Sequence, residues 1–147
     1  MLISFIERVY KMRALKICLW LAGFACLLSL FGMFLPMSAF ESIAKFFGLE
    51  SLPDSPLLMY AARLMLATYA AVGIFFIILA LNPLKYGVIV PFSGLAAMFV
   101  GVVCAIAGPL TAMPFWWFMG DSLSYLVPGV LILVFWKQAK QASDRID

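Results

Sequence analysis

The stretch Pro56–Leu81, PLLMYAARLMLATYAAVGIFFIILAL, decides the fold. Its 26 residues carry one charged side chain, Arg63, and apolar residues fall on every side of the helix they would form. A water-soluble helix keeps a polar face, whereas one apolar all round must lie in lipid or a deep core. At 1.5 Å per residue the stretch reaches about 39 Å, enough to cross a hydrocarbon layer of about 30 Å.

Working outward, Ile17–Leu35, Tyr86–Gly108 and Pro114–Trp136 have the same character, so the chain reads as four spans at approximately 17–35, 56–81, 86–108 and 114–136. The composition agrees, with 66% hydrophobic and 12% charged residues in a chain of 147. No ordinary soluble domain carries that balance. The expectation is an all-α polytopic membrane protein, a single four-transmembrane-helix bundle over 1–147, with too little chain outside the spans for a separate soluble domain.

Lysine and arginine set the orientation, because they resist translocation while acidic residues matter little. Arg8, Lys11, Arg13 and Lys16 precede span one, Lys85 lies between spans two and three, and Lys137, Lys140 and Arg145 follow span four: eight of the ten basic residues. The opposite side holds only Lys45, with Arg63 inside span two. Both termini are therefore expected in the cytoplasm. The net charge of +3 reports topology, and because the basic residues are spread over juxtamembrane ends no nucleic-acid partner is implied.

The connections carry local signals of their own. A basic stretch ahead of an apolar run resembles a signal peptide, but the run exceeds an h-region and Met37 and Ala39 make a poor cleavage site, so it is read as an uncleaved first span. Ahead of it, Leu2, Phe5, Ile6 and Val9 recur at helical spacing, either as a short interfacial helix or as an extension of span one. In loop one, Ser38 and Glu41 have capping-box spacing, followed by a stripe of Ala39, Phe40, Ile43, Ala44 and Phe47, with Gly48 as a stop. That predicts a second short interfacial helix, on the outer surface. Pro53-Asp54-Ser55-Pro56 restarts the chain, with Ser55 placed to cap span two, and Asn82-Pro83 makes a tight hairpin between spans two and three.

Small residues form faces along the spans. Span three has Ser93, Ala97, Gly101 and Ala105 at i+4 intervals, with Gly94 and Gly108 each seven residues from Gly101; span one has Ala22, Ala25, Ser29 and Gly32. In lipid, helices associate by close backbone approach, and such faces permit it. They serve packing within the chain or, equally well, a subunit interface.

Several chemistries are excluded by residue type. The chain has no histidine, which removes His-ligated haem, His-containing zinc sites and any Ser-His-Asp or Cys-His nucleophile. Gly120-Asp121-Ser122-Leu123 spells a hydrolase tetrapeptide, but without a histidine base it is read as chance. Cys18, Cys26 and Cys104 form no Cys-x-x-Cys pair. Met33, Met37, Met59, Met65, Met113 and Met119 lie toward the outer ends of spans, where thioethers suit Cu(I) in principle, though methionine more often fills irregular gaps. The expectation is no catalysis, no cofactor and no resident metal.

Two ionisable residues inside spans carry the candidate site. Arg63 is seven residues beyond Pro56 and Asp121 seven beyond Pro114, so both should lie about 10 Å along helices that enter from the outer side. A charge in hydrocarbon is costly unless paired or hydrated, which motivates an intramembrane ion pair or an outward-facing ligand site completed by Tyr60, Ser124 and Tyr125. Two bland readings stand beside it. Arg63 would snorkel to the interface. Asp121 would cap a span beginning at Ser122, although that leaves only about 22 Å of helix, and the longer helix is adopted here.

These residues also carry a resemblance. Four short spans, Ala61-Ala62-Arg63 opening span two, a small-residue helix, an Asn-Pro hairpin and an acidic residue early in span four resemble the DoxX-like group of small bacterial membrane proteins, over residues 53–137. The resemblance implies a four-helix bundle in the bacterial cytoplasmic (inner) membrane, at times associated with respiratory or redox complexes. The functional expectation is a non-catalytic accessory subunit that contacts lipid and either other membrane subunits or copies of itself. The alternative is a binding or transport protein holding an anionic lipid, quinone or other small amphipathic ligand around Arg63 and Asp121.

Overall fold

A computed structural model describes residues 2–48, 55–111 and 113–144, with side chains between 9 and 141 of those ranges. The described residues form helices and turns with no strand. The order is α1 (Leu2–Leu27), α2 (Ser29–Met33), α3 (Met37–Phe46), α4 (Pro56–Leu81), α5 (Ile89–Leu110) and α6 (Phe115–Asp144). Four stretches are long and apolar enough to cross a membrane: Val9–Met33, Pro56–Leu81, Ile89–Leu110 and Phe115–Gln141. The chain is an integral multi-pass membrane protein.

Local chemistry explains where the elements start and stop. The N-terminal stretch is continuous with α1, since no proline or glycine interrupts the chain before Gly23; it is the extension of span one and not a separate interfacial helix. α3 starts at Met37 with Pro36 as its N-cap (φ −71°, ψ 161°), without a side-chain capping bond. The capping box expected at Ser38 is therefore displaced: the extended Pro36 ends one segment and starts the next, placing Ser38 one turn position inside the helix, where its carbonyl accepts from Ser42 Oγ at 2.8 Å. Gly48 ends α3 as expected, in the left-handed conformation at φ +69°. Pro53 and Asp54 of the expected restart lie outside the described residues. α5 begins at Ile89, three residues later than Tyr86, because Gly87 turns the chain at φ +49°.

The helices divide into two compact units, residues 22–77 and residues 1–21 with 78–147. In the second of these, the largest fully buried side chains are Leu15, Leu19, Leu79, Pro83, Val90 and Ile132. Across the same unit α5 and α6 run antiparallel as a hairpin. Gly94 faces the Gly129 carbonyl: a methyl built on Gly94 would sit 3.0 Å from it, and one on Gly129 would sit 2.8 Å from the Gly94 carbonyl. Seven residues further along each helix, buried Ser122 donates its hydroxyl to the Gly101 carbonyl at 2.8 Å.

Residues 22–77 use the same device between α1 and α4. Gly23 and Gly73 meet so closely that a methyl on Gly73 would lie 2.7 Å from the Gly23 carbonyl and 2.9 Å from the Leu27 nitrogen. One to two turns away, Ser29 Oγ bridges the Cys26 carbonyl (2.6 Å) and the Leu66 carbonyl (2.9 Å). Helices in lipid gain little from burying apolar area, so contact between backbones and cross-helix hydrogen bonds hold each pair.

Candidate functional site: ionisable residues on the membrane spans

The helix α6 begins at Phe115, which places Asp121 inside the helix and not at its cap. Asp121 is exposed on the helix side, and the indole N–H of Trp117, one turn earlier, donates to its carboxylate. Trp117 and Trp136 stand nineteen residues apart, about 28 Å along a helix, close to the hydrocarbon thickness. With those two rings at opposite interfaces, as tryptophan prefers, Asp121 is about 6 Å inward from the Trp117 ring. The carboxylate is thus inside the span and tied toward the Trp117 end of it.

Around it, Ser124 Oγ donates back to the Asp121 carbonyl at 2.7 Å and is exposed, while Tyr125 is half-buried. Cys104, half-buried on α5, lies within electrostatic reach of the carboxylate. Gly120 is exposed, with open space where a side chain would stand. Ser122, the middle of the hydrolase-like tetrapeptide, is 2% exposed and committed to the Gly101 carbonyl, so it has the environment of a packing residue.

In the other unit Arg63 is exposed on α4, three residues below Tyr60, which is 66% exposed. Tyrosine favours the interface, and from it Arg63 is about 5 Å inward. The face of α4 turned inward runs through Ala62, Leu66, Ala70 and Gly73, and Arg63 stands at the edge of that face, seven residues before Ala70. Arg63 and Asp121 belong to different units, and their expected pairing rests on their positions in the sequence.

The small-residue face of α5 divides into two classes. Ser93, Gly94, Gly101 and Gly108 are buried, and Ala97 and Ala105 are half-buried. Gly108 is covered by the Phe118 ring, which a methyl there would overlap. In span one, Ala25 is exposed and Gly23 takes the close contact instead. Gly23, Gly73 and Gly129 were missed in the sequence because each is a lone glycine outside a repeating stripe. The available signal was energetic: an isolated glycine within a helix costs about 1 kcal/mol against alanine and so points to a packing reason.

Among the described residues no group of three or more His, Cys, Asp or Glu side chains comes together. No family model, curated protein or solved structure matches the chain.

Proposed function

We propose that this protein works by association in the plane of the membrane, as a small non-catalytic accessory subunit oriented with both termini in the cytoplasm. The observation that carries the reading is the exposure of Arg63 and Asp121 on the sides of membrane-spanning helices. Lipid tails offer neither charge a counter-charge, and intramembrane ionisable residues ordinarily face protein or water. A face that is incomplete alone is completed by a partner. The resemblance of residues 53–137 to the DoxX-like group supports the same reading and favours a bacterial cytoplasmic membrane and a respiratory or redox assembly.

The test is extraction in a mild detergent followed by native mass determination. The chain should be recovered in a species larger than its own 16.3 kDa. Recovery only as a stable lone chain, at the lowest detergent that keeps it dispersed, would overturn the reading.

A further inference from the structure

We propose that the partner is a second copy of this chain, with Arg63 of one copy set against Asp121 of the next. The inference rests on the association reading and deepens it by naming what completes the exposed face.

The argument begins with depth. Arg63 is seven residues into α4 from Pro56 and Asp121 six residues into α6 from Phe115, each about 10 Å from a helix start on the same side of the membrane. Copies of one chain inserted in one membrane share orientation and depth. Two groups level with each other within the sequence are therefore level between copies, and opposite charges meet without tilt or displacement.

Charge and stereochemistry agree with that placement. Both residues are exposed, and their signs are complementary, so the chain supplies both halves of the contact. An ionised carboxylate has about four acceptor positions. The Trp117 indole uses one and holds the group in place, leaving the rest for a guanidinium, whose planar fork matches them. Next to Asp121 in the chain, Gly120 has open space where a Cβ would stand, so a neighbouring backbone can approach close to that charge. Such a contact joins unlike surfaces, and it either repeats around a closed ring or occurs twice about a two-fold axis.

The experiment uses full-length chain in native membranes. In a background of Cys18→Ala, Cys26→Ala and Cys104→Ala, one tagged copy carries Arg63→Cys and a differently tagged copy carries Asp121→Cys. A short bifunctional thiol reagent should give a product bearing both tags, and copies carrying Arg63→Cys alone, or Asp121→Cys alone, should give at least several-fold less. Because the substitutions remove the charges, the unsubstituted protein is examined in parallel by native mass, expected at twice 16.3 kDa or a higher whole multiple of it. A single chain carrying both cysteines that links only within itself would overturn the inference, as would a heavier species containing one copy and a different polypeptide. The latter result would leave the association reading standing. A lone chain by native mass would remove both.

Discussion

Gly73 has no room for a side chain, because the atoms nearest its missing Cβ are the backbone of Gly23 and Leu27 at 2.7 and 2.9 Å. Backbone cannot swing aside as the tip of a long side chain can. Gly73→Leu should lower stability in detergent by about 1–3 kcal/mol or more, the usual cost of overpacking. Ala71→Leu, at an exposed position of the same helix, should leave thermal unfolding of the chain nearly unchanged and so serves as the control. A smaller effect is expected at Ser122, whose hydroxyl bonds a carbonyl that already has a helical partner. Ser122→Ala should cost about 0.6 kcal/mol and no more than about 1.7, the range of interhelical side-chain bonds in membranes. A larger loss, read from unfolding of the purified protein, would mean that Ser122 does more than join two helices.

At the level of elements, the hairpin of α5 and α6 depends on a seven-residue rhythm. Gly94, Gly101 and Gly108 face Gly129, the Ser122–Leu126 turn and Phe118 in succession. Gly101→Leu introduces bulk against the Ser122 carbonyl and the Leu126 side chain, so it should part the helices and lower the melting temperature, while Val102→Leu on the exposed side should not. Equal melting temperatures for the two variants would show that the hairpin does not depend on this face. The short helix α3 is fixed differently, by Pro36 before it and by Gly48 at φ +69° after it. Gly48→Ala forces a side chain into the left-handed region at a cost of about 1–2 kcal/mol. Amide exchange at Phe47 and Gly48, which bond the Ile43 and Lys45 carbonyls, should then quicken while exchange in α4 holds.

At the scale of the whole molecule, orientation is the property a single experiment reads most directly. With the native cysteines removed, Ser42→Cys on α3 should react with an impermeant thiol reagent applied from outside the cell. Lys85→Cys, in the turn between α4 and α5, should react only after the membrane is opened. The reverse pattern would invert the topology inferred from the eight basic residues on one side. It would also place Arg63 and Asp121 near the cytoplasmic surface, since both lie at the ends of spans opposite that turn.

The sequence by itself determined the number, length and apolar character of the spans, because the bilayer imposes a length of about 20 residues and forbids unpaired backbone regardless of what the helices touch. α4 runs over the same Pro56–Leu81 that was read from composition alone. It also placed Gly94, Gly101 and Gly108 on one face, since a seven-residue spacing is nearly two helical turns. Tertiary structure decided which face meets which helix. Composition could not reveal that Gly23 meets Gly73, that Ala25 points away, or that the Ser122 hydroxyl reaches the Gly101 carbonyl, because each depends on the rotation of one helix against another. The same holds for Asp121. Its place in the helix and its bond from Trp117 required knowing that α6 begins at Phe115, where two readings of one stretch, starting at Pro114 or at Ser122, differed by eight residues.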